Sequence, residues 1–358
     1  MNVTTDTLVC QMSQKIFESK HCLFAVSLIL SVMAASTVAG NGTVFVAMIQ
    51  TLRKHGDLQA FNNHNNSSCI TKLLMLSMTV AGVFVGTFIM PLSLVELISN
   101  GDWTLGIFMY KLRVLLDYLL CSITSLHITF MAADTYLVVC KPLLYRLLTP
   151  RTGYIMTAVC WILPILIMTS WLIVQPNSFS TCKDFTDDCS FAKSTKVLNL
   201  VSGSFFWVLF LSVWVLYLIV LRQVRLFRLR NFHSNNKTIR YLSNSTIAVC
   251  YTVDGKETNS EQVIIQNNSF SKQKVNSTNK GFCFIGAVLL CFSICWAPNW
   301  IILLATTSCQ VTIPEWVYIL LDWLTYFSST VNPVIYCNNT SIRLAVKSLI
   351  GLVLFKRK

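Results

Sequence analysis

Charge is scarce in this chain. Only 12% of its 358 residues are charged, and just 15 of them are Asp or Glu, where an ordinary soluble domain carries roughly 25% charged residues. Because 54% of the residues are hydrophobic, a soluble enzyme is excluded, since it would have nowhere to hide so much apolar surface. No His, Cys and Asp cluster has metal-ligand spacing, and no nucleophile stands with a recognisable base. The isolated His127 reads as a satisfied helix residue rather than a catalytic base. Neither an enzyme nor a cofactor is expected. Inverted repeats and glycine-broken spans at matching positions, the marks of a transporter, are also lacking.

What the chain has instead is apolar length. Hydrophobic runs cover Leu23–Ile49, Leu73–Ile98, Phe108–Cys140, Ile155–Val174, Val197–Leu221, Phe282–Thr306 and Val317–Cys337. Each is long enough, or nearly so, to cross a bilayer. The fold expected is an all-α membrane protein, a seven-transmembrane-helix bundle ending in a short amphipathic helix. The first run follows a polar stretch and far exceeds the roughly 7–15-residue core of a signal peptide. With the N-terminus outside, 21 of the 28 Lys and Arg fall on the inner side, so the net charge of +13 is a topology signal. Its partner would be anionic lipid of the inner leaflet rather than nucleic acid.

This topology predicts an extracellular tail over 1–21 and a bundle over 22–337 whose inner loop, 223–280, is largely irregular. A juxtamembrane helix with a basic tail would follow over 338–358. Asn2 opens an outer-side glycosylation sequon, whereas those at Asn236 and Asn276 would face inward and stay bare. The Asn-rich insert between Arg53 and Lys72 reads as exposed loop. Cys10, Cys182 and Cys189 fall outside, where disulfides form. The loop over 177–194 also carries Asp184, Asp187 and Asp188, and an acidic vestibule attracts cations.

The third run organises the rest. Asp117 and Asp134 lie seventeen residues apart, about 26 Å along a helix, so one acid approaches each membrane surface. Carboxylates at such depth normally mark a functional site. A buried charge must be paired, and no Lys or Arg in the neighbouring spans is an obvious partner for Asp117. Asn41 reads as a polar tie between helices, and Pro91 and Pro298 should bend their spans. Asp322 and Tyr326 share one helix face at about 6 Å in height. If Tyr326 faces Asp117, then Asp322, with Glu96 nearby, could add negative charge for a ligand with two separated ammonium groups. Alternatively Asp322 is solvated, or paired with Lys111 or Arg113.

Gly40-Asn41, Met90-Pro91, the Asp117-to-Asp134 spacing, Trp161, Cys295-Trp296-Ala297-Pro298 and Asn332-Pro333-Val334-Ile335-Tyr336 occur in an order that resembles the rhodopsin-type (class A) G-protein-coupled receptors. Within that class the chain is similar to the biogenic-amine group. Val139-Cys140-Lys141-Pro142-Leu143-Leu144-Tyr145 looks most like the second inner loop of the trace amine-associated receptors. The resemblance implies a plasma-membrane receptor for a small cationic amine that acts through a heterotrimeric G protein. It makes Asp117 the amine counter-ion, held by Tyr326, and Trp296 the floor of the ligand site. Tyr118, Cys121, Asn299, Trp300 and Asp322 would surround the ligand, and Ser202 and Ser204 would meet its polar groups. Activation and coupling would fall to Asp134, Thr135, Tyr136, Asn332, Pro333 and Tyr336.

The chain also departs from that pattern. Gly82 stands where the family has a sodium-binding aspartate, and Thr135 where it has the arginine that engages the G protein. Tyr110 replaces the cysteine that staples the third span to the second outer loop. Thr340, Ile342 and Arg343 stand where trace-amine receptors carry aromatics. These losses imply weakened coupling, with a non-signalling amine-binding protein or heteromeric partner receptor as the alternative.

Overall fold

The computed structural model describes residues 20–54, 67–99, 105–174, 190–244, 252–253, 256–257, 286–306 and 313–355. Asn2, Asn276, Cys10, Cys182, Cys189, Asp184, Asp187, Asp188 and the last three basic residues lie outside them, as does the side chain of Tyr110. Asn236, by contrast, falls on helical backbone, and residues 67–71 of the Asn-rich insert open a helix with Ile70 buried instead of forming exposed loop.

Seven long helices follow the apolar runs. They are Lys20–Lys54, a second span from Ser67 to Ile98, Gly106–Cys140, Pro150–Val174, Ser190–Asn244, Gly286–Thr306 and Glu315–Tyr336. Six are both long and apolar enough to cross a membrane. The seventh, at 22 residues, has the length, about 33 Å, but not the apolarity. Its polar residues Thr325, Ser328, Ser329 and Asn332 are all buried, so the polarity faces the bundle and not the lipid, the arrangement expected of a functional span. Large apolar residues face outward elsewhere: Phe24, Leu28 and Ile29 on the first span, Val208, Leu211 and Val215 on the fifth, Ile294 and Ile301 on the sixth. That belt requires lipid around it.

The second span is a helix from Ser67 to Phe84, one π-helical turn Val85–Ile89, then a helix from Met90 to Ile98. Met90 N–H reaches back five residues to the Val85 carbonyl. Pro91 has no N–H to give, and the wider turn stands just before it. The third span begins at Gly106, whose φ of +79° is left-handed backbone suited to glycine. This helix packs on the second, fourth and fifth spans.

Two apolar cores result. The outer one joins the first three spans and the seventh around Ile89, Met90, Ile123 and Trp323. The other runs through Leu74, Met131, Phe206, Phe292, Trp296 and Tyr336. Between them lies a polar tie of the second, third and fourth spans. His127, fully buried, donates Nδ1–H to the Ile123 carbonyl at 2.8 Å, and its Nε2 lies 2.9 Å from Ser77 Oγ. Trp161 Nε1 donates to the same hydroxyl at 2.8 Å. The chain of bonds closes with a neutral imidazole: tryptophan to serine, serine to histidine, histidine to backbone. His127 is thus a satisfied helix residue.

On the inner side the fifth helix continues to Asn244, well past the point where the composition suggested irregular chain. Beyond it Thr252 and Val253 pair antiparallel with Glu257 and Lys256. The terminal helix Thr340–Phe355 packs against the first span, with Ile342 buried and Leu344 exposed.

Candidate functional site

The outer ends of the second, third, sixth and seventh spans converge on a cluster of charges. Tyr326 donates its hydroxyl to Asp117 Oδ2 at 3.1 Å, so the expected tyrosine–aspartate contact is present. One turn outward, Arg113 places Nη1 at 2.9 Å from Glu96 Oε2 and Nη2 at 3.8 Å from Asp322 Oδ2. Asn299 Nδ2 donates to the other oxygen of Asp322 at 3.3 Å. Arg113 is 8% exposed and acts electrostatically on Asp117 as well. No partner for Asp117 was expected from the neighbouring spans, and the cation near it comes from its own span, four residues earlier. It also settles the alternatives for Asp322, which is paired with Arg113.

Below the charges lies an aromatic wall. Trp300 stacks on Phe206 with ring centres 5.0 Å apart and planes 16° from parallel. Trp296 lies 6.4 Å from Phe206 and 5.6 Å from Phe292, and its indole N–H donates to Ser328 Oγ at 3.0 Å. Tyr118 and the buried Cys121 pack into the same group. No motif in the sequence marks Phe206 or Ser328. Phe206 follows Ser202 by four residues, so helical spacing alone could have found it.

The two fifth-span serines separate. Positions two apart on a helix stand about 200° apart around its axis, so both cannot face inward. Ser202 is buried, and its hydroxyl has no hydrogen-bond partner among the described residues. Ser204 lies on the exposed face and donates to the Leu200 carbonyl at 2.7 Å. Ser204 is therefore not where a ligand contact needs it.

At the inner end Asp134 is buried. The Thr71 hydroxyl donates to its Oδ2, and Tyr145 adds a second hydroxyl. Thr135 turns its hydroxyl back to the Met131 carbonyl at 3.0 Å, and Tyr136 is half-buried. Asn332, Pro333 and Tyr336 are buried at the inner end of the seventh span. In the place of the sodium aspartate, a Cβ on Gly82 would come within 2.7–2.8 Å of the Asn41 side chain. Asn41 is held by hydrogen bonds from Nδ2 to the carbonyls of Thr37 at 2.9 Å and Ser329 at 3.0 Å. Among the described residues no group of three or more His, Cys, Asp or Glu is placed to hold a metal.

A helical bundle with a lipid-facing belt, a charged and aromatic site at its outer end and polar residues along its seventh span has the architecture of a multi-pass membrane receptor. The chain belongs to the 7 transmembrane receptor (rhodopsin family), whose family model matches residues 40–336, and it is accordingly a receptor and not an enzyme. Among similar proteins, the mouse (Mus musculus) 5-hydroxytryptamine receptor 1F is 24% identical over 94% of this chain and 92% of its own length. The D(1)-like dopamine receptor of Oreochromis mossambicus is 24% identical over 90% of this chain and 78% of its own. The octopamine receptor beta-2R of Chilo suppressalis is 23% identical over 95% and 81%.

Proposed function

We propose that the outer end of the bundle binds a small organic amine in its protonated form, of the biogenic or trace-amine kind, and that the inner end couples to a heterotrimeric G protein with low efficiency. The observation that carries the reading is the Asp117 carboxylate, held by the Tyr326 hydroxyl at 3.1 Å above a wall of Phe206, Trp296 and Trp300. An ammonium there would meet a carboxylate on one side and aromatic faces on the other, where cation–π attraction adds roughly 1–2 kcal/mol. The unpartnered Ser202 hydroxyl supplies a polar contact for the rest of the ligand. The relatives named for serotonin, dopamine and octopamine all take amines by name. The resemblance of 139–145 to trace amine-associated receptors favours a small primary amine. In this reading the receptor lies in the plasma membrane with residues 1–21 outside.

Weak coupling rests on Thr135. Its hydroxyl is bonded to its own helix, and it offers no cation where the resembling receptors carry arginine. The same observation favours a second reading, an amine-binding partner that does not signal alone.

The experiment is amine binding to purified receptor and to D117A and D117N, with a panel of small amines read in parallel by second-messenger response. Loss of the charge pair should weaken binding by about thirtyfold or more, corresponding to ~2 kcal/mol for one buried pair. Unchanged affinity in both variants would sink the amine reading.

A further inference from the structure

The charged groups form a ladder between the third and seventh spans. Both helices run inward from the outer surface, and each contributes two side chains four residues apart. The deeper rung is Asp117 with Tyr326 at 3.1 Å. The outer rung is Arg113 with Asp322 at 3.8 Å, extended to Glu96 at 2.9 Å. The rungs stand about 6 Å apart along the helix axes.

We infer that Arg113 is a built-in second cation that makes the site selective for ligands with one ammonium group and excludes diamines. This rests on Asp117 being the amine anchor. Three carboxylates meet at the outer end, and without Arg113 they would form an attractive site for a second ammonium one turn outward of the first. Arg113 fills that place. Its fork reaches Glu96 with one nitrogen and Asp322 with the other, geometry that a planar guanidinium suits better than an ammonium. Asn299 holds the remaining Asp322 oxygen, so both oxygens of that carboxylate have partners. Arg113 is itself buried, so a diamine bound at Asp117 would have to bring its second charge against a guanidinium that cannot move into water without leaving two carboxylates behind. Like charges brought together in a partly desolvated site repel strongly. A ligand with one ammonium and an uncharged body brings no second charge against Arg113.

The test compares n-butylamine with 1,4-diaminobutane, whose second nitrogen can reach about one helical turn, by ligand-induced thermal stabilisation of purified receptor in lipid nanodiscs. Wild-type receptor should bind the monoamine at least as tightly as the diamine. Arg113→Gln should shift the ratio toward the diamine by about tenfold or more, the gain from one newly available charge pair. Adding Asp322→Asn to that variant should abolish the gain. If Arg113→Gln does not fold because the buried guanidinium is lost, the double variant E96Q/R113Q removes one charge of each sign and serves for the same comparison. A tenfold diamine preference in the wild type overturns the inference whatever the variants do. A ratio unchanged by removal of Arg113 also overturns it. Asp117→Asn separates the two levels. If amines bind through Asp117 and only the ratio fails to respond, the selectivity role of Arg113 falls alone. If Asp117→Asn binds both amines as well as wild type, the amine anchor is wrong and the selectivity role falls with it.

Discussion

Asn41 and Gly82 illustrate how one absent side chain is compensated by another. Asn41 spends both amide protons on backbone carbonyls of the first and seventh spans, and its side chain fills the space beside Gly82. Restoring an acid by Gly82→Asp should therefore destabilise the receptor, because the new side chain meets Asn41 below contact distance and sets one acceptor against another. Overpacking of this size costs about 1–3 kcal/mol. Thermal unfolding of the purified receptor should show a lower Tm for G82D, partly recovered in N41A/G82D; a Tm at or above wild type would contradict the packing described. The same scale separates the fifth-span serines. Ser202→Ala should weaken binding of a hydroxylated amine several-fold, whereas Ser204→Ala, on the outer face, should leave affinity within about twofold, the difference being roughly one hydrogen bond of 0.5–1.5 kcal/mol. Competition binding with both variants decides it.

Among elements, the third span is tied to its neighbours by buried polar groups as well as by packing. Ser77 serves Trp161 and His127 at once, so Ser77→Ala leaves an indole N–H and an imidazole nitrogen unpaired in one step. Each unsatisfied group costs about 1–3 kcal/mol. S77A should lower Tm more than W161F, which removes only a donor, and the double variant should fall short of the sum because the two share one bond. Strict additivity would mean that the network is not coupled. The second span solves a different problem. Its π-helical turn stands just before Pro91, in the span whose outer segment carries Glu96.

For the whole molecule, the question is whether an event at the outer end reaches the inner one. Trp296 links the aromatic wall to Ser328 of the seventh span, and Asn332 and Tyr336 continue that span to the inner side. At the inner end Asp134 accepts the Thr71 hydroxyl on Oδ2, and nothing at Thr135 extends inward as a charge. Basal and amine-driven G-protein activation should therefore be weak, and Thr135→Arg should raise it. A second-messenger assay on surface-matched cells checks this. A strong wild-type response would show that coupling here does not need a cation at that position.

The spans and their order were determined by the sequence alone, and the expected orientation rests on it as well. Lipid imposes an apolar length and backbone satisfaction on any spanning helix, and these constraints are local, so composition and basic-residue asymmetry report them directly. Asp117 was legible for the same reason, since a carboxylate at membrane depth stands out against apolar neighbours, whereas Tyr326 was marked only by the resemblance to the amine receptors. Contacts between spans were decided by the tertiary structure, because they depend on how each helix is rotated about its axis. An arginine one turn from Asp117 could equally have reached outward to water along its apolar stem; packing turned Arg113 inward to Glu96 and Asp322. Rotation of the fifth span likewise selected Ser202 over Ser204 and brought Phe206 against Trp300. It is the summed side-chain packing of neighbouring helices that sets these rotations, and no single stretch of sequence contains that sum.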